Sequence, residues 1–181
     1  MVIASRVRNS RCWIGALSLL ISGLALGQSS DRSGAAAMVS ESDHAFVREA
    51  AATGSLEIQM SRIAALRANS DQVRQFASSL VEDHSKARRK LKEIALSKNV
   101  EISDDLDMKR AGRLLALQRY TGDEFDREYL TLQVDQHRRA VGLFQQQAQK
   151  SGSEELRNFA QSKLPALEAH FKLAQLLADS R

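Results

Sequence analysis

The stretch SDQVRQFASSLVEDHSKARRKLKEIALS, residues 70–97, decides the fold of this chain. Its positions Val73, Ala77, Leu80, His84, Ala87, Leu91 and Ile94 recur three and four apart, the spacing that lines up side chains on one face of an α-helix. Ser70 ahead of Asp71 supplies an N-cap and an acidic first turn. A helix this long with one apolar stripe must bury that stripe against other helices. One residue of the stripe is not apolar: His84 lies at its centre.

Working outward, three more long helical patterns appear. One precedes this stretch, from about Asp43 to Ala68. Another runs from about Asp123 to Lys150, after the stop signal Thr121-Gly122, and the last starts at Ser153-Glu154-Glu155 and ends near Asp179. Asn69-Ser70 and Ser151-Gly152 are tight connections, so each pair is expected to form an antiparallel hairpin. Between the hairpins lies Lys98 to Gly122, with a shorter helix expected from about Asp104 to Tyr120, capped by Ser103. Two hairpins joined by one long crossover is the connectivity of an all-α, ferritin-like four-helix bundle, here spanning residues 42–179. The halves also resemble each other. Ser70 to Ala77 parallels Ser153 to Ala160, and Phe46-Val47-Arg48-Glu49 parallels Phe125-Asp126-Arg127-Glu128 more loosely, as a duplicated hairpin would.

Composition agrees with this reading. In 181 residues there is 1 Pro, which argues against a turn-rich β-sandwich, and 1 Cys, which excludes a disulfide framework and a thiolate-built metal site. At the N-terminus, Arg6, Arg8 and Arg11 flank an apolar stretch from Cys12 to Leu26 that ends in small residues, the pattern of a secretory signal peptide over residues 1–27. The apolar stretch falls short of the roughly 20 residues of a spanning helix. Cys12 lies at its start and not at the cleavage point, so it is no lipid-bearing cysteine. Residues 28–41, rich in Ser, Ala and Gly, read as a flexible leader. Export leads to a periplasmic or secreted location, with no membrane span in the mature chain. Removing three arginines lowers Lys and Arg from 26 to 23 against 22 Asp and Glu, so the formal charge of +4 becomes +1. That balance argues against a nucleic-acid partner. The basic run Lys86 to Lys92 spreads around its helix, with Glu82 and Glu93 at pairing distance along it.

The four helical stripes each turn one ionisable residue inward: Glu57 on the first long helix, His84 on the second, His137 on the third and His170 on the fourth. At about 1.5 Å per residue, Glu57 and His84 are expected level below the first turn, and His137 and His170 within about a turn of each other. His44 falls off the stripe. Burying such groups is costly unless they are paired or bind a metal. Two readings follow, a hydrogen-bonded Glu–His network and a divalent-metal site of Glu57, His84, His137 and His170.

Asp43-x-x-Phe46 with Ala51-x-x-Gly54-x-x-Glu57, Phe76-Ala77 with Val81-x-Asp83-His84, Phe125-Asp126 with Tyr129 and His137, and Leu164-Pro165-x-Leu167-x-x-His170 follow in order. In these the chain resembles the exported domain-of-unknown-function 4142 family, a ferritin-like group described as outer membrane or periplasmic proteins. The resemblance covers about Ser42 to Asp179 and implies the fold and export, but no reaction. Di-iron members of ferritin-like folds place Glu three residues before His. Here Val81, Val134 and Leu167 stand three before the histidines, which argues against a carboxylate-bridged di-iron centre. Pro165 inside the fourth long helix removes an amide donor one turn before His170.

No nucleophile or acid/base pair emerges, which leans away from an enzyme. The leading expectation is a non-catalytic binding or structural, stress-related module of the cell envelope. The alternative is a metal-binding protein using the intra-bundle Glu/His cluster; an envelope enzyme is the third. Self-association or an envelope protein partner stays open.

Overall fold

The computed structural model describes residues 40–180, so the expected signal peptide and nearly all of the leader lie outside the described residues. The described residues form five helices: α1 (Glu41–Arg67), α2 (Asp71–Ser97), α3 (Met108–Leu117), α4 (Gly122–Lys150) and α5 (Glu154–Asp179). The expectation of an all-α helical bundle holds, with α1–α2 and α4–α5 as hairpins and α3 within the connection between them.

Local chemistry sets the ends. The Ser40 hydroxyl accepts the Asp43 amide at 3.1 Å and starts α1 slightly earlier than the stripe alone indicates. The crossover helix is shorter than expected and is capped by Asp107, which accepts the Arg110 amide, rather than by Ser103. Ser103 is otherwise engaged: its hydroxyl closes a turn on the Asp105 amide, and its carbonyl accepts from Arg88. Gly122 opens α4 at φ +57°, a left-handed conformation that favours glycine.

The hairpins are two copies of one design. Asp43 to Asp126, Ala68 to Ser151 and Ser70 to Ser153 are each 83 residues apart, with no gap between. The hydrogen bonds repeat in that register. Arg74 donates to the carbonyl of Ala68, and Arg157 to that of Ser151. Ser79 and Ser162 bond the carbonyls of Phe76 and Phe159, and Ser97 and Ser180 those of Ile94 and Leu177. The looser sequence parallel of Phe46 with Phe125 is therefore one helical turn out of register. Capping, not local similarity, fixes Phe46 against Tyr129.

The two copies clasp each other. Asp43, at the start of α1, accepts from Gln147 and Ser151 at the end of α4 (2.7 and 2.6 Å). Asp126, near the start of α4, accepts the amides of Asn69 and Ser70 beyond the end of α1 (both 2.9 Å). Helices α1 and α4 thus run antiparallel, and the crossover spans the length of the bundle. The apolar core forms two clusters, one around Leu56, Phe76, Leu80, Phe125 and Tyr129, the other around Phe46, Leu91, Phe144, Leu156 and Phe159. The inward histidines belong to neither.

Candidate metal centre

His84 on α2, His137 on α4 and His170 on α5 converge. One ring nitrogen from each lies within 4.8 Å of the others, and the ring centroids are 5.4–5.8 Å apart. Hydrogen bonds define which nitrogens are free in two of the rings. His137 Nδ1 lies 3.0 Å from the carbonyl of Gln133, one turn earlier on the same helix. A carbonyl only accepts, so Nδ1 carries the proton and Nε2 keeps its lone pair. His170 Nε2 lies 3.1 Å from Asp83 Oδ2, and since a carboxylate only accepts, Nε2 carries the proton and Nδ1 is the lone-pair atom.

These lone pairs have no partner. Among the described residues, the buried side-chain polar atoms without a hydrogen bond are His84 Nε2, His137 Nε2, His170 Nδ1, both oxygens of Glu57 and both amide atoms of Gln133. All belong to five residues of the middle of the bundle. Leaving a buried polar atom unsatisfied costs about 1–3 kcal/mol, so such a concentration calls for a ligand.

Electrostatics keep the rings neutral. Burial pushes the His84 imidazole down to about 3, with the neighbouring His137 and His170 adding to the effect. His137 is lowered to about 4, first by burial and then by His170, against its bond to the Gln133 carbonyl. His170 is lowered by burial, with Asp83 opposing. Neutral imidazole is the form that binds a metal.

Glu57 stands apart from the three rings. Its carboxylate is fully buried on α1 but is not among the atoms that converge. The register explains why. Arg88 of α2 donates to the Ala51 carbonyl of α1, which sets His84 opposite Gly54 and Ser55, with Glu57 about 3–4 Å further along the helix axis. The carboxylate instead neighbours Gln133 and Tyr129, and burial raises it to about 7 while Gln133 opposes. Gln133 exerts that influence without meeting hydrogen-bond geometry. Tyr129 is itself held by Ser61 at 2.9 Å. The hydrogen-bonded Glu–His network expected as one alternative is not formed, since no bond joins Glu57 to a histidine or one histidine to another among the described residues. Sequence reading overlooked Asp83 and Gln133 as partners of the rings. Asp83 directly precedes His84, and its reach to α5 is visible only once the hairpins are packed.

Fold and site together define a duplicated four-helix bundle with three neutral imidazoles converging at its waist. Residues 28–177 match the family described as domain of unknown function (DUF4142), and the chain belongs to that family. No curated protein matches it. Among solved structures it is similar to the crystal structure of a DUF305 fragment from Deinococcus radiodurans, with a TM-score of 0.70 at 11% identity, covering 79% of this chain and 99% of that one. At that identity the likeness concerns the fold alone. No helix among the described residues is long and apolar enough to cross a membrane.

Proposed function

We propose that this protein is an exported metal-binding bundle in which His84, His137 and His170 hold one divalent first-row transition metal, with zinc and copper as the best matches to an all-imidazole donor set. The observation that carries this reading is the convergence of three neutral rings, His137 buried and His84 and His170 part-buried, each with a buried, unpartnered nitrogen. Three histidines with a fourth position open is a donor set zinc accepts, with metal–nitrogen bonds of about 2.0–2.1 Å. Such bonds bring tetrahedral ligand atoms to about 3.3 Å of each other, so the rings close in on the ion as it binds. Asp83 orients His170 and raises its basicity, the role carboxylates play behind metal-bound imidazoles. Glu57 supplies no ligand to this site, but a carboxylate within the same waist tempers the added charge. The apolar stretch of residues 12–26 behind three arginines supports export and cleavage near Gly27.

The test is metal analysis of untagged protein purified from its native compartment, followed by zinc titration of the stripped protein. One equivalent is expected for the wild type and none for His84→Ala or His137→Ala. Asp83→Asn is expected to weaken affinity about 10–100-fold while leaving the stoichiometry at one. Equal zinc uptake by all variants would overturn the reading. Intact mass of the exported protein, starting near Gln28, tests the export half separately.

A further inference from the structure

The 83-residue repeat says what the opposite side of the bundle has where the site stands. His137 corresponds to Gly54, His170 to Ala87, His84 to Leu167, Glu57 to Ala140 and Gln133 to Ala50. Every one of those counterparts lines a single cavity of about 280 Å³, and His84 and His170 share its wall. The polar cluster and the cavity are therefore equivalent places about the repeat, each built from both copies: one is filled by side chains, the other left open by Ala50, Gly54, Ala87 and Ala140 beside Leu167.

Resting on the metal-binding reading, we propose that this cavity binds a small anion with an apolar body, in its simplest form a short-chain aliphatic carboxylate, whose head group takes the fourth coordination position at the three histidines.

The glycine supports a cavity kept open for an occupant. A Cβ at Gly54 would meet nothing within 4 Å, so no neighbour requires glycine in the middle of a 27-residue helix. Glycine at such a position is unfavourable relative to alanine by roughly 1 kcal/mol. What its missing side chain provides is space. Leu91, Leu143, Phe144 and Phe159 make much of the remaining wall apolar. A dry cavity of about 150 Å³ lined by such residues holds a benzene molecule, so the volume here takes a chain of several carbons.

Charge selects the head group. A divalent ion on three neutral rings leaves positive charge in a low-dielectric interior, which an anionic donor offsets. Around the wall, Arg88 is paired with Asp104, Arg139 with Asp135 and Glu49 with Arg110, while Asp83 accepts a hydrogen bond from the neutral His170 ring. Lys163 has no ion pair among the described residues and stands over the Phe159 ring at 5.9 Å. Its counterpart in the other copy is Leu80, a buried core residue. Lys163 is thus a cation that this side alone carries, and together with a divalent ion it outweighs the Asp83 carboxylate on the same wall.

Cobalt(II)-loaded protein titrated with hexanoate and with acetate tests the proposal, because the visible spectrum reports the head group. Methyl NMR of Leu91, Leu143 and Leu167 reports the cavity. Each buried methylene is worth about fourfold in affinity, so hexanoate is expected to bind at least about tenfold tighter than acetate and to shift those methyls. Gly54→Leu, and independently Ala140→Leu, should keep one cobalt per chain and weaken hexanoate at least about tenfold while leaving acetate unchanged. Equal affinity for the two anions, or full hexanoate binding by both filled variants, overturns the proposal. Failure to take up cobalt overturns the metal reading instead; methyl shifts with hexanoate in the metal-free protein would then retain the cavity as a site, and their absence would reject it.

Discussion

At the residue scale, Glu57 and the histidines pull the pH dependence of stability in opposite directions. The Glu57 carboxyl is raised from 4.5 to about 7 in the folded chain, so its contribution is fully present below pH 4.5 and is lost as pH rises through 7. The imidazoles are lowered from 6.5, His84 to about 3 and His137 to about 4, so theirs is present above pH 6.5 and is lost as pH falls toward those values. Metal-free protein is therefore expected to be most stable near pH 6.5. Glu57→Gln removes the alkaline limb alone. Between pH 5 and 8.5 the wild type should lose, through this group, on the order of 3 kcal/mol that the variant does not. Chemical denaturation across that range measures it, and an unchanged alkaline slope in the variant would show that the carboxylate is not buried as described. The absolute stability of the variant is less informative than the slope, because a glutamine amide there faces the same unpartnered Gln133.

At the scale of the elements, the helices were legible because each one reports itself in a period of three to four and in its end residues. Residues 71–97 are the stretch read from sequence, and α4 and α5 differ from their expected bounds by at most a residue or so. What the sequence concealed was the relation between elements. The repeat register is set by Asp43 and Asp126, two carboxylates that act across the bundle, and neither pairing is deducible from its neighbours in sequence. The same is true of Asp83, and of Glu57, whose facing toward the core was legible but whose height was not. Counting residues from the turn puts Glu57 and His84 about two residues, roughly 3 Å, out of level, and the Arg88–Ala51 bond keeps that offset rather than closing it. The clasps are open to a direct test. Asp43→Ala leaves the Gln147 amide without its acceptor inside the core and Ser151 with only the Ser153 carbonyl, and Asp126→Ala strips two backbone amides of theirs. Each should cost about 1–3 kcal/mol. Because the clasps sit at opposite ends of the bundle, the double variant should be additive within about 0.5 kcal/mol. Strong coupling between them in denaturation would mean that the copies do not act as independent ends of one bundle.

At the scale of the whole molecule, duplication supplies a control for function within the chain itself. Two hairpins with the same serine bonds have diverged at five waist positions, so that one side of the waist, built from both copies, gathers Glu57 and the three histidines while the equivalent side carries no titratable group at those positions. A bundle selected for stability alone has no use for three unsatisfied imidazoles, and the other copy shows that leucine suits the position of His84: Leu167 is buried there, 7% exposed, within the apolar core. His84→Leu is thus the exchange that separates a structural histidine from a functional one. If the ring serves folding, its loss should destabilise as other core disruptions do, by about 2–5 kcal/mol. If it serves a ligand, the metal-free variant should be at least as stable as the wild type at pH 7, and more stable at pH 5 because one buried neutral imidazole no longer resists protonation. Metal should reverse the order. Zinc at 100 times its dissociation constant stabilises a protein that binds it only when folded by about 2.7 kcal/mol, and this increment should appear in the wild type and vanish in the variant. Thermal melts of both proteins with zinc and with chelator measure the whole square of conditions. A variant less stable than wild type in chelator, with the same response to zinc, would return His84 to the core as an ordinary structural residue.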